Sequence, residues 1–223
     1  MRTELVIFDC DGVLVDSEGL GAAVLTEELA KLGIQVTPQW VREVSFGRSI
    51  PGVIGAVEAS TGKPLPPEFE DLYRARLLER YETELKVTPG LMGVLSRLNV
   101  PACVTSTASP ARVARTLMLT GLQPFFRGKV FTTSEVKRGK PAPDLFLHAA
   151  RRMGARPNRT LVVEDSGPGM AAGLAAGMRV ALYAGGSHMQ GEDVSAWREF
   201  PVFDSWADFP RELVAAGRSN TVH

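Results

Sequence analysis

Short apolar runs punctuate the chain at Leu5 to Phe8, Ala102 to Val104, Leu161 to Val163 and Val180 to Tyr183. They are partly β-branched or aromatic and do not alternate strictly with polar positions, the pattern of strands covered on both faces. Lys129 to Thr132 and Val202 to Phe203 are weaker runs of the same kind. Between the strands, apolar residues recur at helical spacing in Arg112 to Leu119, Asp144 to Met153 and Met170 to Ala176. This alternation predicts an α/β fold on a doubly wound parallel sheet.

Residues 17–86 interrupt the pattern. They contain no convincing strand, only helix-like stretches at Ala22 to Leu32, Pro38 to Val44 and Glu68 to Tyr81. Leu25, Leu29 and Leu32 recur at i, i+4 and i+7, Gly33 stands where a left-handed cap would end the helix, and Gly62 to Pro67 supplies a break. The expected organisation is a core domain from residues 1–16 and 87–223, with a helical-bundle cap domain inserted at 17–86. Pro89-Gly90 marks the return to the core, the two crossings form a hinge, and residues 217–223 read as a frayed tail.

A length of 223 residues suits one core domain carrying a smaller insertion. Twenty-five lysines and arginines balance 25 aspartates and glutamates, so no overall field draws the chain to nucleic acid or to an anionic membrane. Attraction to a ligand must be local. The apolar run before Asp9 is too short for a secretion signal, and no stretch approaches the roughly 20 apolar residues of a membrane span. A cytoplasmic protein is expected, with monomer or homo-oligomer left open. Cys10 and Cys103 read as small buried side chains, not a disulfide or metal framework.

The candidate chemistry gathers at predicted strand ends. Asp9 and Asp11 follow the first strand, where open parallel sheets have their ligand crevice, although aspartate and glycine also favour turns. Thr105-Ser106-Thr107 closes a second strand, and its hydroxyls and backbone N–H groups could hold a phosphoryl oxygen. Ser109 before Pro110 reads as a helix cap. Lys140, between Gly139 and Pro141, is a long cation on a constrained backbone. Glu164-Asp165 closes another strand. Were these ends to converge, Asp9, Asp11, Glu164 and Asp165 would repel one another unless a cation intervened, and an oxygen-only set favours Mg2+ shared with a phosphate.

In this order, Asp9-Cys10-Asp11-Gly12, Thr105-Ser106-Thr107, Lys140-Pro141 and Glu164-Asp165-Ser166 resemble the motifs of the haloacid dehalogenase-like hydrolase superfamily, over nearly the whole chain. The helical insertion resembles that family's small cap. The resemblance implies that Asp9 is the nucleophile toward phosphorus and Asp11 the general acid and base, with its backbone carbonyl on the metal. It implies metal ligation by Asp165 and Glu164, and phosphoryl binding by Ser106 and Lys140. The implied activity is Mg2+-dependent hydrolysis of a small phosphorylated metabolite through an aspartyl-phosphate. Thr107 and Arg48 are candidate substrate contacts, the latter as a cap residue toward a sugar hydroxyl or carboxylate.

Within the superfamily, Asp11 and the acidic pair separate the chain from dehalogenases. A β-phosphoglucomutase-like phosphotransferase is the nearest alternative, but Gly21, Phe46 and Ile50 stand where such enzymes carry a cap histidine, lysine and arginine. A phosphonatase would need a cap lysine, and Lys31 falls at a helix's far end. The segments Arg138 to Asp144 and Gly185 to His188 are similar to those of bacterial sugar-phosphate phosphatases, 6-phosphogluconate phosphatases among them. A receiver-type phospho-acceptor switch uses a related residue set in another order and without a cap. His188 is expected to be a solvated loop residue, and Trp197 and Trp206 packing residues.

Overall fold

The computed structural model describes residues 2–45, 48 and 50–213; Phe46, Gly47, Ser49 and the expected frayed tail lie outside the described residues. Six strands, β1 (Leu5–Asp9), β2 (Ala102–Ser106), β3 (Val130–Thr132), β4 (Thr160–Glu164), β5 (Arg179–Tyr183) and β6 (Val202–Phe203), form one sheet. Its order is β3-β2-β1-β4-β5-β6, and every pairing is parallel. The chain winds outward from β1 to β3 and then returns to β4 on the other side of β1. The crevice at that reversal is the usual ligand site of such sheets.

Both faces are covered, as the unbroken apolar runs require. Val6, Phe8, Val104, Leu161 and Val163 pack with Leu91, Val113, Leu117 and Phe126 on one side of the sheet. These last four come from α5 (Leu91–Leu95), α6 (Pro110–Leu119) and α7 (Gln123–Phe126), counted after the four helices of the insertion. Leu5, Ile7, Cys103, Val162 and Val180 face the other way, against Leu145, Phe146, Met170 and Ala172. That layer comes from α8 (Asp144–Arg152) and α9 (Gly167–Ala175). Both cysteines are free and buried.

The insertion is helical throughout its described part: α1 (Glu18–Lys31), α2 (Pro38–Ser45), α3 (Ile50–Thr61) and α4 (Phe69–Glu84). They bury Val24, Leu25, Leu29, Val41, Val53, Val57, Leu77 and Tyr81 in a core of their own. Helix α3 was not expected. Its two glycines and terminal Ser-Thr weaken helix propensity, but burial of Val53 and Val57, four residues apart, overrides this. Helix α1 also begins earlier than expected, because Gly19 and Gly21 obscure its first turn.

The two crossings between insertion and sheet are joined to each other. Asp16 N donates to Lys86 O at 2.9 Å and Thr88 N to Leu14 O at 3.0 Å, and Val15 bridges Val87 antiparallel. Trp206 locks this junction from behind. Its indole stacks on Tyr183 with centroids 4.7 Å apart. Its Nε1 donates to Thr88 Oγ1 at 2.8 Å, and that hydroxyl donates to Val13 O at 2.7 Å. Trp206→Ala should therefore cost about 3–5 kcal/mol of stability, read from urea unfolding, whereas Trp206→Phe should cost less by keeping the ring stack.

Candidate active site

Asp9 is the last residue of β1 and pairs with Thr105 of β2. On the other side Phe8 pairs with Val163 of β4, so Asp9 and Glu164 follow one step further along adjacent strands. Parallel register alone thus brings two carboxylates to one edge. Lys140, in the loop before α8, inserts between them: its Nζ donates to Asp9 Oδ1 at 2.5 Å and also to Glu164 Oε1. The lysine side chain is only 3% exposed.

Glu164 is fully buried. Its Oε2 accepts from Asp165 N at 3.2 Å, Ser166 N at 3.3 Å and Ser166 Oγ at 2.9 Å, at the positive N-terminal end of α9. Gly169 makes room for it, since a Cβ there would lie 2.0 Å from Glu164 Cδ. Gly12 does the same for Asp165. Its φ of +77° is left-handed, and a Cβ would lie 1.7 Å from Asp165 Oδ2. The Asp-x-Asp-Gly turn is therefore shaped to bring backbone against the second acidic residue.

Asp9, Glu164 and Asp165 each offer a carboxylate oxygen within 4.8 Å of the other two, all three buried. An all-oxygen set of this kind suits a hard divalent ion, so these residues fit Mg2+. The Asp11 carboxylate is engaged elsewhere. Ser17 Oγ donates to its Oδ1 at 2.7 Å, Arg112 Nη2 to its Oδ2 at 2.7 Å, and Ser106 Oγ to Oδ2 at 3.4 Å. The four acidic residues read from the sequence thus divide into a clustered trio and one separately held carboxylate.

The electrostatics follow the same division. Burial drives the Asp9 carboxyl well above its usual range, Lys140 opposes this, and Glu164 and Asp165 add to it. Asp165 is also raised, by burial and then by Glu164. Burial works against the Lys140 charge, but Asp9 and Glu164 outweigh it and keep the lysine protonated. Asp11 behaves in the opposite sense to Asp9: burial pushes it up, yet Arg112 and Ser17 prevail and hold it below the ordinary value.

Asp9, Asp11, Lys140, Asp165, Thr107 and Arg48 line one small chamber, roofed by residues of α1, α3 and α4. Ser106 is buried beside Asp11, and Arg48 is exposed at the chamber's edge. The chamber volume is about 60 Å³, well below the roughly 300–1,000 Å³ of ordinary small-molecule pockets. A sugar-sized ligand requires it to widen.

Three titratable groups at this site were not assigned from the sequence. Arg112 sits in the first turn of α6, where a cation opposes the helix dipole; that mismatch is the signal that an anion holds it. The His188 side chain is only 7% exposed, correcting the solvated reading, and its Nε2 stands 3.1 Å from Asp165 Oδ2. Burial lowers its pKa. Glu18 lines the chamber at the start of α1, where a first-turn acid looks like ordinary helix chemistry.

The sequence comparisons agree with this geometry. A family model described as haloacid dehalogenase-like hydrolase matches residues 3–177, and the chain belongs to that family. The 6-phosphogluconate phosphatase of Escherichia coli strain K12 is 31% identical over 188 residues, covering 84% of this chain and 85% of that protein. Hexitol phosphatase A of the same organism is 34% identical over 186 residues, covering 81% and 82%. A crystal structure of a haloacid dehalogenase-like protein from Agrobacterium tumefaciens superposes with a TM-score of 0.82 at 34% identity, over 95% of this chain and 97% of that one.

Burial, with Asp11 and Asp165 nearby, raises Glu18 from 4.5 to about 7. The unfolded chain releases this proton first, so folding takes up a proton between those values, and this contribution to stability falls as pH rises from 4.5 to about 7. In metal-free buffer, Glu18→Gln should flatten that part of the pH profile and raise the urea midpoint at neutral pH.

Proposed function

We propose that this hydrolase is a magnesium-dependent phosphatase of small phosphorylated metabolites, most suited to sugar or sugar-acid phosphates, acting through an aspartyl-phosphate on Asp9. The observation that carries this reading is Asp9 at the sheet's reversal point, 2.5 Å from Lys140 and grouped with Glu164 and Asp165. A carboxylate so held is a nucleophile beside fixed positive charge, which phosphoryl transfer chiefly requires. The names of the two Escherichia coli relatives support the substrate class.

In the proposed sequence the Asp9 carboxylate attacks phosphorus and the ester's alcohol oxygen departs with a proton from Asp11. Water then attacks the aspartyl-phosphate and gives its proton back to Asp11, releasing phosphate and restoring Asp9. Lys140, Ser106 and Thr107 hold the phosphoryl oxygens. Arg112 and Ser17 hold Asp11 below its ordinary value, which favours the ionised form needed for the water step. An arriving phosphate dianion raises its pKa by like-charge repulsion and favours the protonated form needed for the first. Asp9, Glu164 and Asp165 with the Asp11 carbonyl would hold Mg2+, whose charge would keep Asp9 ionised and neutralise the phosphoryl group.

Residues 17–86 act as the cap in this reading, with Arg48 at the chamber's edge to contact the leaving group. A phosphomutase must re-bind a bisphosphate through cap cations and a cap base. Gly21 and Ile50 line the chamber where these would be expected and offer neither.

Asp9→Asn should lower p-nitrophenyl phosphate turnover by at least about 10³-fold while circular dichroism and the thermal midpoint report an intact fold; retained turnover would remove Asp9 as nucleophile. EDTA should abolish activity and MgCl2 restore it. In parallel, MgCl2 should raise the thermal midpoint of the wild-type protein and not that of Asp165→Asn.

A further inference from the structure

Arg112 is 16% exposed and holds Asp11 at 2.7 Å from the core side of the chamber. Its backbone N donates to the Ser109 hydroxyl that caps α6, which fixes the first turn of the helix. A guanidinium carries five N–H donors and no acceptor. One nitrogen reaches Asp11, while Nε is buried without a hydrogen-bond partner among the described residues. The same chamber wall carries Tyr73 and Tyr81, both buried, and apolar Leu25, Val53 and Leu77.

This arrangement bears on the leaving group. If Asp11 protonates the departing oxygen, that oxygen lies within hydrogen-bond reach of the Asp11 carboxylate. The carbons attached to it then pass alongside the guanidinium. A donor-only group at that point rewards an acceptor oxygen and leaves a donor unpaired against a plain alkyl chain.

We propose that Arg112 is a specificity-determining residue that recognises an oxygen substituent on the carbon next to the ester carbon, so that preferred substrates are phosphomonoesters of vicinally hydroxylated alcohols. The inference rests on the phosphatase reading above and deepens it. Arg112 donates to the neighbouring hydroxyl oxygen, Tyr73 and Tyr81 stand against the carbon backbone, and Asp11 is left to the ester oxygen.

The test compares glycerol 1-phosphate with propyl phosphate, which has the same three carbons and no hydroxyls, in wild type, Arg112→Gln and Arg112→Lys. Wild type should favour glycerol 1-phosphate by at least roughly tenfold in kcat/KM. Arg112→Gln should erase that preference mainly through a raised KM for glycerol 1-phosphate, and Arg112→Lys should recover part of it. Inhibition by inorganic phosphate, which has no leaving group, should change by less than about twofold. A wild type indifferent to the hydroxyls would overturn the proposal. So would equal losses on both esters, or a parallel loss of phosphate inhibition, since each would assign Arg112 to Asp11 or to the fold alone. Wild-type protein that hydrolyses neither ester would overturn the phosphatase reading itself, and this inference with it.

Discussion

Packing carboxylates of like sign into a dry crevice is the constraint on which this site is built. Asp9, Glu164 and Asp165 are all buried, with ligand atoms within 4.8 Å of one another, and burial with the neighbouring carboxylates disfavours ionisation of Asp9 and Asp165. The fold answers with one buried cation shared by two of them, Lys140, and with the backbone donors of the β4–α9 turn on Glu164. The missing side chains of Gly12 and Gly169 follow from the same need, because a methyl group at either position would occupy a carboxylate's space.

Two aspartates separated by a single residue end in opposite electrostatic states. Strand geometry explains the difference: Asp9 closes β1 and points into the acidic trio, whereas Asp11 lies in the turn and meets Ser17 and Arg112. Neighbouring titratable groups driven apart in this way are the usual sign of divided acid–base labour. The two cations divide accordingly, Lys140 serving the nucleophile's side and Arg112 the side from which a leaving group departs in the proposed reaction.

The strand ends were legible because buried parallel strands are short apolar runs, and residues at their ends need no tertiary information to be located. Asp9, Ser106 and Glu164 were found in this way, and Lys140 through its glycine and proline neighbours. Helix α3 was hidden because its glycines mask a pattern that only packing completes. Arg112 and His188 were hidden for a different reason. Arg112 lies 101 residues from its partner Asp11, and His188 reaches Asp165 from the loop after β5. Local patterns carry no record of such pairings, apart from the dipole mismatch at the start of α6.

The ribbon formed by residues 14–16 and 86–88 has a mechanical meaning. Two independent tethers would let the helical unit slide or twist over the strand tips, but tethers zipped by two backbone hydrogen bonds around the Val15–Val87 bridge behave as one strap. A strap bends about a single line. A swing about that line would lift α1 and α4 together, carrying Ser17 away from Asp11 while Arg112, rooted in the sheet's own helix layer, stays behind.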